Sequence, residues 1–171
     1  MKINYATDIR CAPVAWPMRR NKAGTQGLIV GSVGAGKSAT LRLLAERAKE
    51  NQIQVWSHCP MGLDLGGKNM SRSKWNWAVR SYRGKEPVLA IVDELGTNTP
   101  KHVPTNPRVT VVVATPTPSE KAHQNIDVLL DLGSAHDYGG AGWGWMRTPD
   151  PGGQLWREVT VDPPTQTPGR R

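Results

Sequence analysis

The chain has 171 residues, a length that suits one domain with a core large enough to fold on its own. Its 22 Lys and Arg residues outnumber 14 Asp and Glu residues, and the net charge of +8 favours a polyanionic partner, nucleic acid first. No apolar run reaches the roughly 18 residues of a membrane span, and the first residues lack the apolar stretch of a secretory signal, so we expect neither.

Strands and helices alternate in the hydrophobic pattern. In chain order it predicts a strand over 2–9, a loop over 11–26, a strand over 27–30, a helix over 38–51, a strand over 53–57, a loop over 61–69 and a helix over 73–83. It then predicts a strand over 88–92, a broken segment over 95–107, a strand over 109–114, a short helix from Ser119, a strand over 127–132 and extended segments over 143–147 and 155–161.

This alternation indicates an α/β fold with a mostly parallel central sheet flanked by helices. The continuous apolar run over 88–92 is typical of a strand that is buried on both faces of such a sheet. A strong turn signal at 150–153 predicts a C-terminal β-hairpin. We expect a single domain over 1–161 and a disordered tail over 162–171, because that tail is rich in proline and poor in apolar residues.

One segment fits the phosphate-binding loop pattern G-x-x-x-x-G-K-[ST]: Gly31, Ser32, Val33, Gly34, Ala35, Gly36, Lys37 and Ser38. A strand before it and a helix after it aim successive backbone N–H groups at one point, and the helix adds its positive dipole end. Lys37 would reach the β- and γ-phosphates, and the Ser38 hydroxyl would hold Mg²⁺. A glycine-rich turn that merely carries a lysine does not account for this context, so we predict a P-loop NTPase that binds ATP and Mg²⁺.

Two acidic residues follow the buried strand over 88–92, at the end of the strand where ligands sit in parallel sheets. Asp93 would hold Mg²⁺, usually through water, and Glu94 would polarise the water that attacks the γ-phosphate. The alternative is an exposed acidic pair at a strand end. Thr115, at the tip of the next strand, is placed to sense the γ-phosphate, or equally to cap a turn before Pro116.

Five segments in order resemble the FtsK/HerA family of P-loop ATPases, motors that move DNA. They are the phosphate loop with Leu41, Leu43 and Leu44 after it, SHCPMGLDL over 57–65, VLAIVDEL over 88–95, VVVATPTPS over 111–119, and the hairpin sequence over 142–161. The chain departs from the family pattern where His58-Cys59-Pro60-Met61 lacks the usual aspartate and lysine, and where Pro116 replaces a glutamine. The segment between Glu94 and Val109 is also shorter than usual in the family.

The resemblance implies an ATP-hydrolysing motor that translocates or packages DNA as a homo-oligomeric ring, a hexamer, from a plasmid or virus. Its location would be cytoplasmic in a bacterial host, in line with two reduced cysteines, or virion-associated. In such rings an arginine from the neighbour completes the site; Arg108 is the nearest by position, with Arg80, Arg83 and Arg147 as alternatives. Two other readings stay open: an ATP-dependent binding or regulatory module with slow or no hydrolysis, and a small-molecule kinase, which the adjacent Asp-Glu pair disfavours.

A basic stretch over 68–85 has no acidic residue and interleaves Trp75, Trp77 and Tyr82 with six cations: Lys68, Arg72, Lys74, Arg80, Arg83 and Lys85. Cations that neutralise phosphates and aromatics that stack on bases are the two ingredients of sequence-tolerant nucleic-acid binding. The competing interpretation is that the aromatics pack the helix against the sheet while the cations form a solvated face. Arg19, Arg20 and Lys22 are a second possible DNA contact.

Overall fold

The computed structural model describes residues 2–8, 10–20, 23–93, 106–116, 126–133, 142–150 and 153–162. The elements in chain order are β1 (Lys2–Asp8), β2 (Pro13–Pro17), β3 (Arg19–Arg20), β4 (Ala23–Gly24), β5 (Gln26–Val30), α1 (Lys37–Glu50), β6 (Gln54–His58), β7 (Lys68–Asn69), α2 (Arg72–Ser81), β8 (Val88–Asp93), β9 (Val109–Thr115), β10 (Val128–Asp131), β11 (Trp143–Asp150) and β12 (Gly153–Val161).

Ten of these strands form one open sheet in the order β2-β1-β12-β11-β10-β5-β9-β8-β6-β7. Every pairing from β10 to β7 is parallel, and the pairings from β2 to β10 are antiparallel. Parallel neighbours require crossover connections, and α1 and α2 supply two of them. The predicted α/β fold with a mostly parallel sheet is therefore confirmed, as is the closing hairpin, in which Asp150 pairs with Gly153.

The two helices lie on opposite faces of the sheet. Helix α1 presents Leu41, Leu44, Ala45 and Ala48 to one face, and these side chains are buried with strand residues such as Ile29 and Ile91. Helix α2 presents Trp75 and Val79 to the other face, where they are buried with residues such as Val30 and Val92. All six residues of β8 are buried, which agrees with a strand that is covered on both sides.

The prediction of a loop over 11–26 is wrong, because this segment contains β2 and the short strands β3 and β4. The prolines at 13 and 17 argue against a strand, but both lie at the ends of β2, and β2 is an edge strand, where proline is tolerated. Val14 and Trp16 alternate with Ala15 and are buried. The Trp16 indole fills a space beside Gly27 that a Cβ on Gly27 would overlap.

The predicted loop over 61–69 also ends in a strand, since Lys68 and Asn69 pair with β6 as β7. This strand has only two residues, too few for an alternating pattern to show in the sequence.

Several predicted features lie outside the described residues: Glu94, the short helix from Ser119 and the tail beyond 162. Asp162 is described, and its backbone N–H donates to the carbonyl of Tyr5. Neither helix in the described ranges is long and apolar enough to cross a membrane.

The opposite environments of two tryptophans on α2 give a stability prediction. Trp75 is 0% exposed and Trp77 is 72% exposed. We expect Trp75→Ala to lower the free energy of unfolding by about 3–5 kcal/mol, because it leaves a cavity in the core. The matched control Trp77→Ala should change it by less than about 0.5 kcal/mol. Urea denaturation followed by circular dichroism measures both, and equal losses would contradict the assigned packing.

Candidate functional site

The backbone of residues 31–38 runs from the end of β5 into the first turn of α1, and we call this segment the cradle. Gly36 is the N-cap of α1 with φ 99°, a left-handed conformation that glycine adopts without the strain of a Cβ. It has no side chain that could accept from the first amides of α1, and the first turn contains no acidic residue. The amides of a first helical turn have no acceptor within the helix. They are therefore available to donate to an anion that binds at the helix end.

Lys37 is folded back over this loop. Its side chain is 6% exposed, and Nζ donates to the carbonyls of Gly31 and Ser32, at 2.7 Å each. Burial lowers the pKa of Lys37, and the negative charge of Asp93 partly opposes that shift. The ammonium group thus lies at the mouth of the cradle, held by two neutral acceptors that a phosphate can replace.

Asp93 faces the loop from the end of β8. Its side chain is 4% exposed, and the Ser38 hydroxyl donates to Oδ2 at 2.9 Å. In the described part of the chain, Oδ1 finds no hydrogen-bond partner. Burial raises the pKa of Asp93, while the Ser38 hydrogen bond and the charge of Lys37 pull it back down.

These residues fit a magnesium ion. Mg²⁺ prefers oxygen ligands and retains several waters, so it binds through one or two carboxylates with phosphate oxygens. A buried carboxylate oxygen without a partner costs free energy unless a cation or a water satisfies it. Asp93 and Ser38 offer such oxygens side by side, beside the phosphate cradle. The predicted metal ligands are therefore brought together.

The strand order places Thr115 between the two motifs. Strand β9 pairs with β8 on one side and with β5 on the other, so Ala114 lies opposite Asp93 and Thr115 lies opposite Val30. Because side chains alternate along a strand, Thr115 lies on the face covered by α2, whereas Asp93 lies on the face covered by α1. Thr115 is fully buried at this position. Its role as a sensor stays a prediction.

Three of the four candidate arginines for a neighbouring site, Arg108, Arg83 and Arg147, contact groups within this chain. Arg108 Nη1 donates to the carbonyls of Arg83 and Gly84, at 2.5 and 3.1 Å. Arg83 Nη1 donates to the carbonyls of Arg80 and Tyr82. The guanidinium of Arg147 lies 5.7 Å from the ring centre of Trp156. Within one chain, Arg108 fastens the end of α2 to the start of β9.

Two glycines outside the motif support the phosphate loop, and sequence reasoning missed both. The backbone N–H of Ser32 donates to the carbonyl of Gly133 at 3.0 Å, and the N–H of Gly142 donates to the carbonyl of Ala35 at 3.1 Å. Gly133 follows Asp131, whose Oδ1 accepts from its N–H, so the sequence Asp-Leu-Gly carried a turn signal. Nothing in the local sequence indicated that this turn contacts the loop.

Cys59 is buried beside Asp93. Burial raises the pKa of its thiol to about 11, with a further contribution from the charge of Asp93. A thiol with this pKa is protonated at neutral pH and unreactive as a nucleophile. Cys59 therefore packs beside Asp93 as a neutral thiol.

The raised pKa of Asp93 predicts a pH-dependent cost to stability. The native carboxyl holds its proton more tightly than the unfolded chain does, so the free energy of unfolding falls as pH rises above the ordinary value of 3.8. Asp93→Asn removes the charge at every pH. We expect this variant, without nucleotide, to have a higher free energy of unfolding than the wild type at pH 7.

The difference between the two proteins should shrink as the pH is lowered toward 3.8. Urea denaturation at several pH values tests this, with Asp64→Asn as the control because Asp64 is exposed and accepts from the backbone of Gly66. A variant Asp93→Asn that is less stable than the wild type at pH 7 would contradict the prediction.

No protein-family profile matches the chain, and no curated protein matches it in sequence. Its structure is similar to ATPases 2 and 3 of Thermomonospora curvata EccC, solved in complex with a signal sequence peptide, with TM-score 0.66, 13% identity, and coverage of 95% of this chain and 40% of that one. The cytoplasmic domain of EssC gives TM-score 0.61, 15% identity, and coverage of 95% and 43%.

The pCW3 conjugation coupling protein TcpA, in a monomer form with ATPγS, gives TM-score 0.61, 9% identity, and coverage of 94% and 65%. The chain spans 26% of the EccC cytoplasmic domain, so it corresponds to one part of a larger protein there. At these identities the likeness concerns the fold. These neighbours are FtsK/HerA-type P-loop ATPases, and the chain has their fold.

Proposed function

We propose that this chain is an ATP-hydrolysing domain of a motor of the FtsK/HerA type, which translocates or packages DNA as a homo-oligomeric ring. The single observation that carries the ATPase part is the contact between the phosphate loop and β8. Ser38 and Asp93 share a hydrogen bond of 2.9 Å, beside the buried ammonium group of Lys37. A magnesium-bound triphosphate needs backbone amides for its phosphates, a cation beside them and a carboxylate oxygen that is free to face the metal. The cradle, Lys37 and Asp93 offer these three groups.

Different residues would contact the phosphates and the Mg²⁺ ion. The amides of the first turn of α1 would donate to phosphate oxygens, and Lys37 would exchange its bonds to Gly31 and Ser32 for bonds to the triphosphate. Ser38 and Asp93 would hold Mg²⁺, which neutralises charge on the phosphates. Glu94, the residue after Asp93, would hold the attacking water and accept its proton.

The DNA part of the proposal has separate support. The net charge of +8 favours a polyanion, and ATP alone does not require it. One structural neighbour, TcpA, is a conjugation coupling protein. EccC, by contrast, is a type VII secretion ATPase, whose second and third ATPase units were solved with a signal sequence peptide. A DNA substrate is the choice that the charge of this chain favours.

A second candidate function is an ATP-dependent binding or regulatory module that hydrolyses slowly or not at all. Thr115 favours it, because this residue is fully buried on the face opposite Asp93 and is followed by Pro116, which has no N–H to donate. When the end of β9 offers no polar side chain to the γ-phosphate, a site can bind a triphosphate and still hydrolyse it slowly.

Removal of the Lys37 ammonium group tests nucleotide binding. We expect Lys37→Ala to weaken binding of Mg·ATP by about 10- to 100-fold, since a hydrogen bond to a charged group contributes about 1.5–3 kcal/mol. The control is Lys49→Ala, because Lys49 is exposed in the last turn of α1, far from Lys37 along the helix. Isothermal titration calorimetry gives both dissociation constants. Equal affinities for Mg·ATP in the two variants would show that Lys37 does not contribute to nucleotide binding.

Hydrolysis is tested with and without duplex DNA. We expect duplex DNA to raise the steady-state ATPase rate of the wild type, and Glu94→Gln to lower the stimulated kcat by about a hundredfold or more, because an amide cannot accept the proton of the attacking water. Release of inorganic phosphate measures the rate, and Glu86→Gln, which changes an exposed glutamate before β8, is the control.

Three outcomes separate the candidates. A DNA-stimulated rate that collapses in Glu94→Gln supports the motor. Tight ATP binding with negligible turnover in both proteins supports the binding module and contradicts the motor. Transfer of phosphate to a small molecule instead of water would contradict both and indicate a kinase.

A further inference from the structure

The outer face of α2 carries a tryptophan that the fold does not use. Trp77 is 72% exposed and lies in a shallow slot of about 430 Å³ lined by Ser73, Asn76, Trp77, Arg80 and Ser81. Residues 73, 77, 80 and 81 recur at helical spacing, so they share one face of α2. Trp75, two residues away, lies on the opposite face and is fully buried. Core packing thus explains Trp75 and leaves Trp77 without a structural role.

The surface around this slot is cationic. Lys74, Arg80, Arg83 and Lys85 are all exposed, and no carboxylate occurs in the sequence between Asp64 and Glu86. Among the described residues, neither Lys74 nor Arg80 takes part in an ion pair. Cations that have no partner within the protein can bind an anionic ligand. A polyanion binds such a surface most tightly, because each of its phosphates can contact one cation.

Side chains just before β9 hold the C-terminal end of α2 next to the slot. Asn106 Nδ2 donates to the carbonyls of Val79 and Tyr82, at 2.7 and 3.1 Å, and thereby caps the end of α2. Arg108 adds its two hydrogen bonds to the carbonyls that follow. A surface that is already ordered loses little conformational freedom when a ligand binds.

We propose that the Trp77 slot binds an unpaired nucleotide of a single-stranded nucleic acid, with the base stacked on the indole and the flanking phosphates on Lys74 and Arg80. An indole ring stacks on the face of any base, and in a duplex those faces are covered by neighbouring base pairs. The hydroxyl and amide groups of Ser73 and Asn76 can meet the polar edge of a base. The inference deepens the proposed function, and rests on it only in taking nucleic acid as the partner.

The test compares single-stranded and duplex DNA in the absence of ATP. A fluorescein-labelled oligothymidine of about 15 nucleotides and a duplex of the same length are titrated with the protein, and fluorescence anisotropy gives the dissociation constants. We expect Trp77→Ala to weaken single-strand binding about tenfold and duplex binding less than about twofold. Trp156→Ala is the matched control, because Trp156 is 48% exposed on β12, far from α2 in the order of strands. It should leave both affinities unchanged.

The charge component is tested by salt. The slope of log affinity against log salt concentration for oligothymidine is negative, and it should become less steep by about 0.7 in Arg80→Gln and by a similar amount in Lys74→Gln, because each cation neutralises one phosphate. Slopes equal to that of the wild type in both variants would show that neither Arg80 nor Lys74 contacts a phosphate of the oligothymidine.

Two results would overturn the inference. Equal affinity of Trp77→Ala and the wild type for oligothymidine would show that the slot takes no base. A change in assembly state in Trp77→Ala by light scattering, with oligothymidine binding intact, would assign the face to a protein contact instead. Neither result depends on ATP hydrolysis, so failure here is distinct from failure of the proposed ATPase function.

Discussion

The hydrogen bond between Ser38 and Asp93 joins two segments that are 55 residues apart in sequence, and the rest of the site depends on it. It forms only because β5 and β8 are parallel and have one strand, β9, between them, so that the phosphate loop and the end of β8 lie at the same edge of the sheet. The same geometry buries Asp93 beside Lys37. A shift of β8 by one residue would turn Asp93 to the opposite face and separate it from Ser38.

This arrangement places polar groups where they are costly. Asp93 has an oxygen without a partner among the described residues, and Lys37 bonds to the carbonyls of its own loop. Such groups are typical of sites in which a ligand completes the hydrogen bonds that the protein leaves open. The loop itself is held by hydrogen bonds to Gly133 and Gly142, which orient its backbone. Buried polar groups of this kind lower stability relative to an apolar site, a cost that is typical of functional sites.

Helix α2 shows how one element can serve two purposes. Trp75 and Val79 seal one face of the sheet, and the opposite side of the same helix presents Trp77 among cations. The packing interpretation of the basic and aromatic stretch is confirmed for Trp75, which belongs to the core, and in part for Tyr82, which packs against Trp56 at 5.2 Å. Trp77 lies on the surface, and nucleic-acid binding there stays a proposal. A helix separates these roles because residues two positions apart point in different directions.

Local pattern was enough for the phosphate loop, for Asp93 at a strand end, for the buried strands β8 and β9 and for the closing hairpin, because each depends on the spacing of neighbouring residues. It failed at β2, where prolines at both ends outweighed the alternation of Val14 and Trp16. Contacts between distant segments could not be read in this way: the support of the loop by Gly133 and Gly142, the cap of α2 by Asn106, and the face on which Thr115 lies. Strand order and register decide these, and they are settled by packing of the whole sheet and not by any short stretch of chain.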